Sequence, residues 1–181
     1  LAPSYPPWLV RGVATYAAEL FDAAGALDAV YVPIGMGSGI SGLIAVRDLL
    51  GLPTEIVGVV AAGAPAYKLS FESDAVVATS SARTFADGMA CREPNPEALA
   101  YIRRGAARVL ALADDEIADA VRLLYRATHN LAEGAGAAAL AGLLKERGRM
   151  ADKRCGVILC GGNIDAPIMA EILAGRTPAP F

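Results

Sequence analysis

Apolar and polar positions change period repeatedly along this chain, and the changes mark its elements. Residues 8–24 carry apolar side chains at helical spacing and predict a helix. Residues 28–34, DAVYVPI, are apolar without alternation and predict a strand buried on both faces. A helix follows over 40–51, ended by Gly51 with Pro53 just beyond. Residues 55–61 predict the next strand and 75–79 a short one. A helix opens near Pro96, a residue suited to a first turn, and 108–113 is again strand. Residues 114–130 give the clearest helix, with an acidic first turn that suits the dipole and Ile117, Val121, Leu124, Tyr125 and Thr128 on one face. The small residues of 135–148 predict a tightly packed helix. Residues 155–160 predict a last strand, followed by Gly-Gly-Asn and a helix from about Ala166.

Apolar strands alternating with helices imply an α/β domain, a mostly parallel sheet with helices on both faces. Residues 1–181 show no repeat, charge block or linker and read as one continuous unit. Ligands of such sheets bind beyond the carboxyl ends of the strands. Two glycine loops fall there: GMGSG after the strand 28–34 and GGN after the strand 155–160.

Composition narrows the function. The chain is 55% hydrophobic and 19% charged, with a net charge of −3. No basic stripe exists to neutralise phosphates, so nucleic acid is not an expected partner. No apolar run approaches the ~20 residues that span a bilayer, and the first residues lack the pattern of a signal peptide. Cys91, Cys155 and Cys160 form no C-x-x-C pair, which points to a reducing, cytoplasmic setting. His129 is the single histidine, and no metal site is expected.

Gly35, Gly37 and Gly39 alternate between a strand and a helix. Their backbone freedom lets successive N–H groups converge, and the helix start adds its positive end. A phosphate is the natural occupant, and a tight turn without ligand is the alternative. The loop lacks the Gly-Lys-Ser/Thr ending of a P-loop. Its spacing is not that of a dinucleotide fingerprint, and Val60, Ala61 and Ala62 leave no acidic residue for a ribose.

Four ordered segments carry a resemblance: VPIGMGSGISGLIA (32–45), TFADGMA (84–90), LAEGAGAAALAGLL (131–144) and GVILCGGNID (156–165). Together they resemble the threonine/serine dehydratase family of fold-type II pyridoxal-phosphate enzymes. PSYPPWLVRGVATYAAEL resembles the segment that precedes the glycine loop in that family. The resemblance implies pyridoxal 5'-phosphate as cofactor and the larger, cofactor-binding domain of a tryptophan synthase β-like fold. It implies that Gly35, Met36, Gly37, Ser38 and Gly39 cradle the phosphate, that Glu133 to Ala137 lie beside the ring, and that Ala86 to Gly88 border the ring and substrate. Cys160 would face the pyridine nitrogen, followed by Gly161. The implied reaction removes water and ammonia from serine, threonine or a similar β-hydroxy amino acid to give a 2-oxo acid. Racemisation, 3-hydroxyaspartate elimination and a non-catalytic phosphate-ligand domain stay open.

The chain departs from the family pattern in three places. The Schiff-base lysine sits in a Ser-x-Lys-x-Arg-Gly motif in the family, and neither Lys68, Lys145 nor Lys153 has that setting. The chain therefore reads as the C-terminal part of the large domain, working with an N-terminal part that is not among these residues, in an expected homodimer. Cys160 stands where serine is usual. Val60 or Ala61 stands where relatives with a divalent cation carry glutamate. No regulatory domain is expected after residue 181. On the residues alone, Cys155 reads as structural and facing away from Cys160, Cys91 as a loop thiol without a role, and Asp87 as a turn residue. His129 reads as a helix-end residue on the dipole, and Arg103 and Arg104 as solvated.

Overall fold

The computed structural model describes residues 7–73 and 75–181. The order is α1 (Pro7–Val13), α2 (Thr15–Ala24), β1 (Ala29–Pro33), α3 (Ser38–Leu49), β2 (Glu55–Ala61), α4 (Ala66–Phe71), a 3₁₀ turn (Asp87–Met89), α5 (Pro96–Gly105), β3 (Arg108–Leu112), α6 (Asp114–Thr128), α7 (Gly134–Lys145), β4 (Cys155–Val157) and α8 (Ala166–Leu173).

The strands form one parallel sheet in the order β3-β2-β1-β4. β1 is central: Val30 pairs with Ile56 on one side and Gly156 on the other. Alternate residues of β1 and β2 feed two cores. Tyr31, Val57 and Val59 pack under α6 and α7 with Ile117, Val121 and Ala138. Val30, Val32, Ile56 and Val60 pack under α2, α3 and α5 with Phe21, Leu43 and Ile102. This double burial explains why the strands read as unbroken apolar runs.

The observed elements depart from the sequence pattern in specific places. The helix expected over 8–24 is interrupted at Ala14. There Thr15 Oγ1 donates to the Gly12 carbonyl at 2.8 Å, a local bond that competes with the helical ladder. α3 starts at Ser38, two residues early. Residues 75–79 form no strand: Val77 N donates to Ser70 Oγ at 2.8 Å and Thr79 N to the Arg92 carbonyl, so these groups serve a loop and not a ladder. Arg103 is not simply solvated. Its guanidinium gathers the carbonyls of Ser70, in the last turn of α4, and of Ser73 and Ala75 beyond it. α4 itself, six residues long, is too short to show a period. β4 ends at Val157, so strand alternation does not relate Cys155 to Cys160. Among the described residues, no helix is long and apolar enough to cross a membrane.

The amino ends of the strands are closed by charge. Arg108, the first residue of β3, donates to Glu146 Oε2 at 2.6 Å and to Glu55 Oε2 at 2.6 Å, and the Tyr31 hydroxyl donates to Glu146 Oε2 at 2.6 Å. The Arg108 hydrogen bond holds Glu55 below the ordinary carboxylate range. Burial raises Glu146, but the bonds from Arg108 and Tyr31 outweigh it and leave that carboxyl lowered as well. Carboxyls lowered in the folded state stabilise it above about pH 5, and that contribution is lost as pH falls through their folded-state values. Arg108→Ala is therefore expected to cost about 2–3 kcal/mol at pH 7, less than for a fully buried pair. It should also flatten the fall in stability between about pH 5 and pH 3. Urea unfolding at a series of pH values checks both; a variant with parental midpoints throughout would show that the network contributes nothing.

Candidate active site

At its carboxyl end β1 runs into residues 34–37 and directly into α3. Gly37 is the N-cap residue of α3, with φ of 94° in the left-handed region, which favours glycine. It offers no side-chain cap, and the first turn of α3 holds no acidic residue. The first N–H groups of the helix lack intrahelical acceptors and form an electropositive start with no carboxylate to neutralise it. The loop is held from outside. The Tyr67 hydroxyl donates to the Met36 carbonyl at 2.7 Å and accepts from Asn95 N at 3.0 Å.

The floor depends on backbone meeting backbone. A Cβ on Gly35 would lie 2.4 Å from the Gly88 carbonyl oxygen. The segment bearing Gly88 is pinned in turn by α6: Thr84 Oγ1 donates to Asp114 Oδ1 at 2.6 Å and Phe85 N to Asp114 Oδ2 at 3.1 Å. Asp87 supports the same turn, accepting from Gly88 N at 2.8 Å. Gly39 differs from Gly35 and Gly37, because a Cβ there would meet no atom within 4 Å. Protein packing does not explain that glycine, which lines the cleft described below.

The far wall is the segment beyond β4. Cys160 is exposed to the cleft, and its thiol is pushed up by burial and then by the nearby Glu133 carboxylate, so it stays neutral near pH 7. Glu133 ties this wall to α7. Its N–H donates to the Gly161 carbonyl at 3.1 Å, and its Oε2 accepts from Asn163 N at 3.0 Å.

Between the walls lies a cleft of about 560 Å³. It brings together Gly35, Met36, Gly37, Ser38, Gly39, Gly88 and Cys160 from the nine sequence-predicted positions. The other two are not among its lining residues. Gly161 is packed against the Glu133 carboxylate, and Glu133 lines a smaller adjoining cleft of about 110 Å³ with Asp87 and Asn163. Tyr16 and Ala135 also line the main cleft. Tyr16 was not predicted, because a tyrosine on an amphipathic helix reads as ordinary packing. No charged side chain is among the described residues that line the main cleft.

Other candidates fall outside it. Lys68 pairs with Glu72, Lys145 with Glu116 at 2.8 Å, and Lys153 lies with Asp28 and Glu55 at the amino ends of the strands. Cys91 is buried, not looped into solvent, with Sγ 3.8 Å from Met36 Sδ. His129 is the exposed, left-handed C-cap of α6, and Arg104 lies over the Tyr101 ring. Among the described residues no group of three His, Cys, Asp or Glu side chains is placed to hold a metal.

A parallel α/β sheet with an uncapped, glycine-opened helix across from a thiol-bearing loop suits a phosphorylated small molecule. The chain belongs to the pyridoxal-phosphate dependent enzyme family, whose sequence model matches residues 1–161. It is 38% identical over 167 residues to a phenylserine dehydratase of Ralstonia pickettii, covering 91% of this chain and 51% of that protein. It is 29% identical over 181 residues to an L-threo-3-hydroxyaspartate ammonia-lyase of Saccharomyces cerevisiae, covering 99% of this chain and 56% of that protein. Its structure is similar to the processed form of threonine deaminase isoform 2 of Solanum lycopersicum, with a TM-score of 0.91 and 27% identity over 97% of this chain and 49% of that one. The chain thus spans about half the length of the relatives it matches. The expected fold type is the observed one.

The two kinds of glycine make a direct test. Gly35→Ala pushes a methyl into a backbone carbonyl and is expected to destabilise by about 1–3 kcal/mol. Gly39→Ala meets open space within a helix and should leave the apoprotein as stable or up to about 1 kcal/mol more so. Thermal unfolding of both variants checks this; the reverse order would show the loop to be wrongly placed against residues 84–88.

Proposed function

We propose that these 181 residues are the C-terminal part of the cofactor-binding domain of a pyridoxal-phosphate dependent ammonia-lyase. The complete enzyme converts a β-hydroxy amino acid, such as serine, threonine or phenylserine, to a 2-oxo acid and ammonia. The observation that carries this reading is the juxtaposition of the uncapped start of α3 with a neutral Cys160 across one cleft. The identity to a phenylserine dehydratase supports the reaction class. The three free thiols support a reducing, cytoplasmic setting.

The residues present fit the cofactor. The N–H groups at the start of α3 suit a phosphate, the open side of Gly39 leaves room for it, and the uncharged cleft suits an aromatic ring. Pyridoxal phosphate, when bound, supplies the electron sink for breaking bonds at Cα and Cβ of an amino acid. Residues 35–39 hold its phosphate. Gly88 and Ala135 line the space for the ring. Cys160 gives the ring nitrogen a neutral partner, because its proton stays on Sγ near neutral pH. Glu133 holds the Cys160–Asn163 wall in place through its bonds to Gly161 and Asn163, and burial, with Glu133 second, raises that thiol. The lysine that attaches the cofactor and the groups that grip the substrate carboxylate come from the remaining half of the enzyme, since none of Lys68, Lys145 and Lys153 lines the cleft.

The test is 2-oxo acid and ammonia release by the full-length protein with pyridoxal phosphate and each of serine, threonine and phenylserine. Failure with every one of them overturns the reaction class. Gly39→Ala, whose fold is expected to be intact, should bind pyridoxal phosphate roughly tenfold more weakly, about 1.4 kcal/mol. Cys160→Ser keeps a small neutral partner and should retain turnover within about threefold, whereas Cys160→Asp adds a charge there and should lower turnover by about tenfold. Equal turnover by the serine and aspartate variants would remove Cys160 from the ring nitrogen.

A further inference from the structure

Tyr16 stands in the first turn of α2, is half-buried, and reaches across to a helix 23 residues later. Its hydroxyl donates to the Gly39 carbonyl at 2.9 Å, and the same side chain lines the main cleft near Cys160. The Gly39 carbonyl shares one rigid peptide plane with the N–H of Ile40, and in a trans peptide the two point in opposite directions. Ile40 is the third residue of α3. The first intrahelical bond of that turn is Ser41 N to the Gly37 carbonyl at 3.1 Å, so the Ile40 N–H lies ahead of the ladder and points out of the helix start. A hydrogen bond received by the carbonyl fixes the plane and polarises the N–H into a stronger donor. Burial, and then Cys160, keep the Tyr16 hydroxyl protonated and able to donate.

We infer that Tyr16 is a positioning residue of the phosphate cradle, which orients and polarises the Ile40 N–H toward the phosphate through the Gly39 carbonyl. The inference rests on the cofactor reading above. It assigns the entry helices a part in ligand binding that their amphipathic pattern does not reveal. It also separates Tyr16 from the residues that only enclose the cleft, since its effect is confined to the phosphate end of the ligand.

The test compares pyridoxal phosphate with pyridoxal, which lacks the phosphate, on the full-length apoenzyme. Binding is followed by absorbance titration, and Tyr16→Phe removes only the hydroxyl. The expected result is a three- to tenfold rise in Kd for pyridoxal phosphate, as for loss of one hydrogen bond. Pyridoxal should bind within about twofold of the parent, and apoenzyme melting should stay within about 2 °C. Equal losses for both ligands, an unchanged Kd for pyridoxal phosphate, or a variant that melts far below the parent would each overturn the role. A parent that binds pyridoxal phosphate while the variant binds it equally well removes Tyr16 alone. A parent that binds none removes the cofactor reading itself.

Discussion

The site depends on one constraint: the chain leaves β1 and enters α3 with no side chain capping the helix start. Gly37 caps the helix in a left-handed conformation and has no side-chain oxygen to offer the first N–H groups. Any capping side chain would satisfy those donors internally and cancel the positive end that makes the loop useful. The donors stay without a side-chain cap, and the surrounding structure holds the loop in place. Gly35 rests on the Gly88 carbonyl, Tyr67 holds Met36 from outside, and Asp114 anchors the segment that carries Gly88.

The two ends of the sheet do different work. At the amino ends, Arg108 joins Glu55, Glu146 and Tyr31 in a charged network that ties β1, β2 and β3 to the end of α7. At the carboxyl ends the main cleft is lined without charge and lies beside backbone N–H groups. Charge at the first end stabilises through paired, mostly sheltered groups. Backbone dipoles at the second suit an anion with little reorganisation, because they belong to the helix itself.

Cys160 and Glu133 show how a neutral site can sit beside a carboxylate. Glu133 accepts from Asn163 N and faces the smaller cleft, so its charge is spent on holding the loop. Burial, and then the field of Glu133, raise the Cys160 thiol, so that side of the main cleft stays uncharged. The pairing of α7 with the segment after β4 is therefore both structural and electrostatic.

Much of this was legible in the residues. Unbroken apolar runs set the doubly covered parallel strands, and the alternate glycines of 35–39 marked the helix start, because these are local consequences of backbone sterics and burial period. The ordered segments pointed to the family and to seven of the residues that line the cleft. Other features were decided only by tertiary structure. Residues 75–79 have strand composition but lack a neighbour to pair with, and their N–H groups go to Ser70 and Arg92. Glu133 and Gly161 belong to the matched motifs yet do not line the main cleft, since a motif fixes order and not direction. The contact of Gly35 with Gly88 and the reach of Tyr16 to Gly39 join residues 53 and 23 positions apart. No local period encodes such contacts; they exist only once the helices have packed on the sheet.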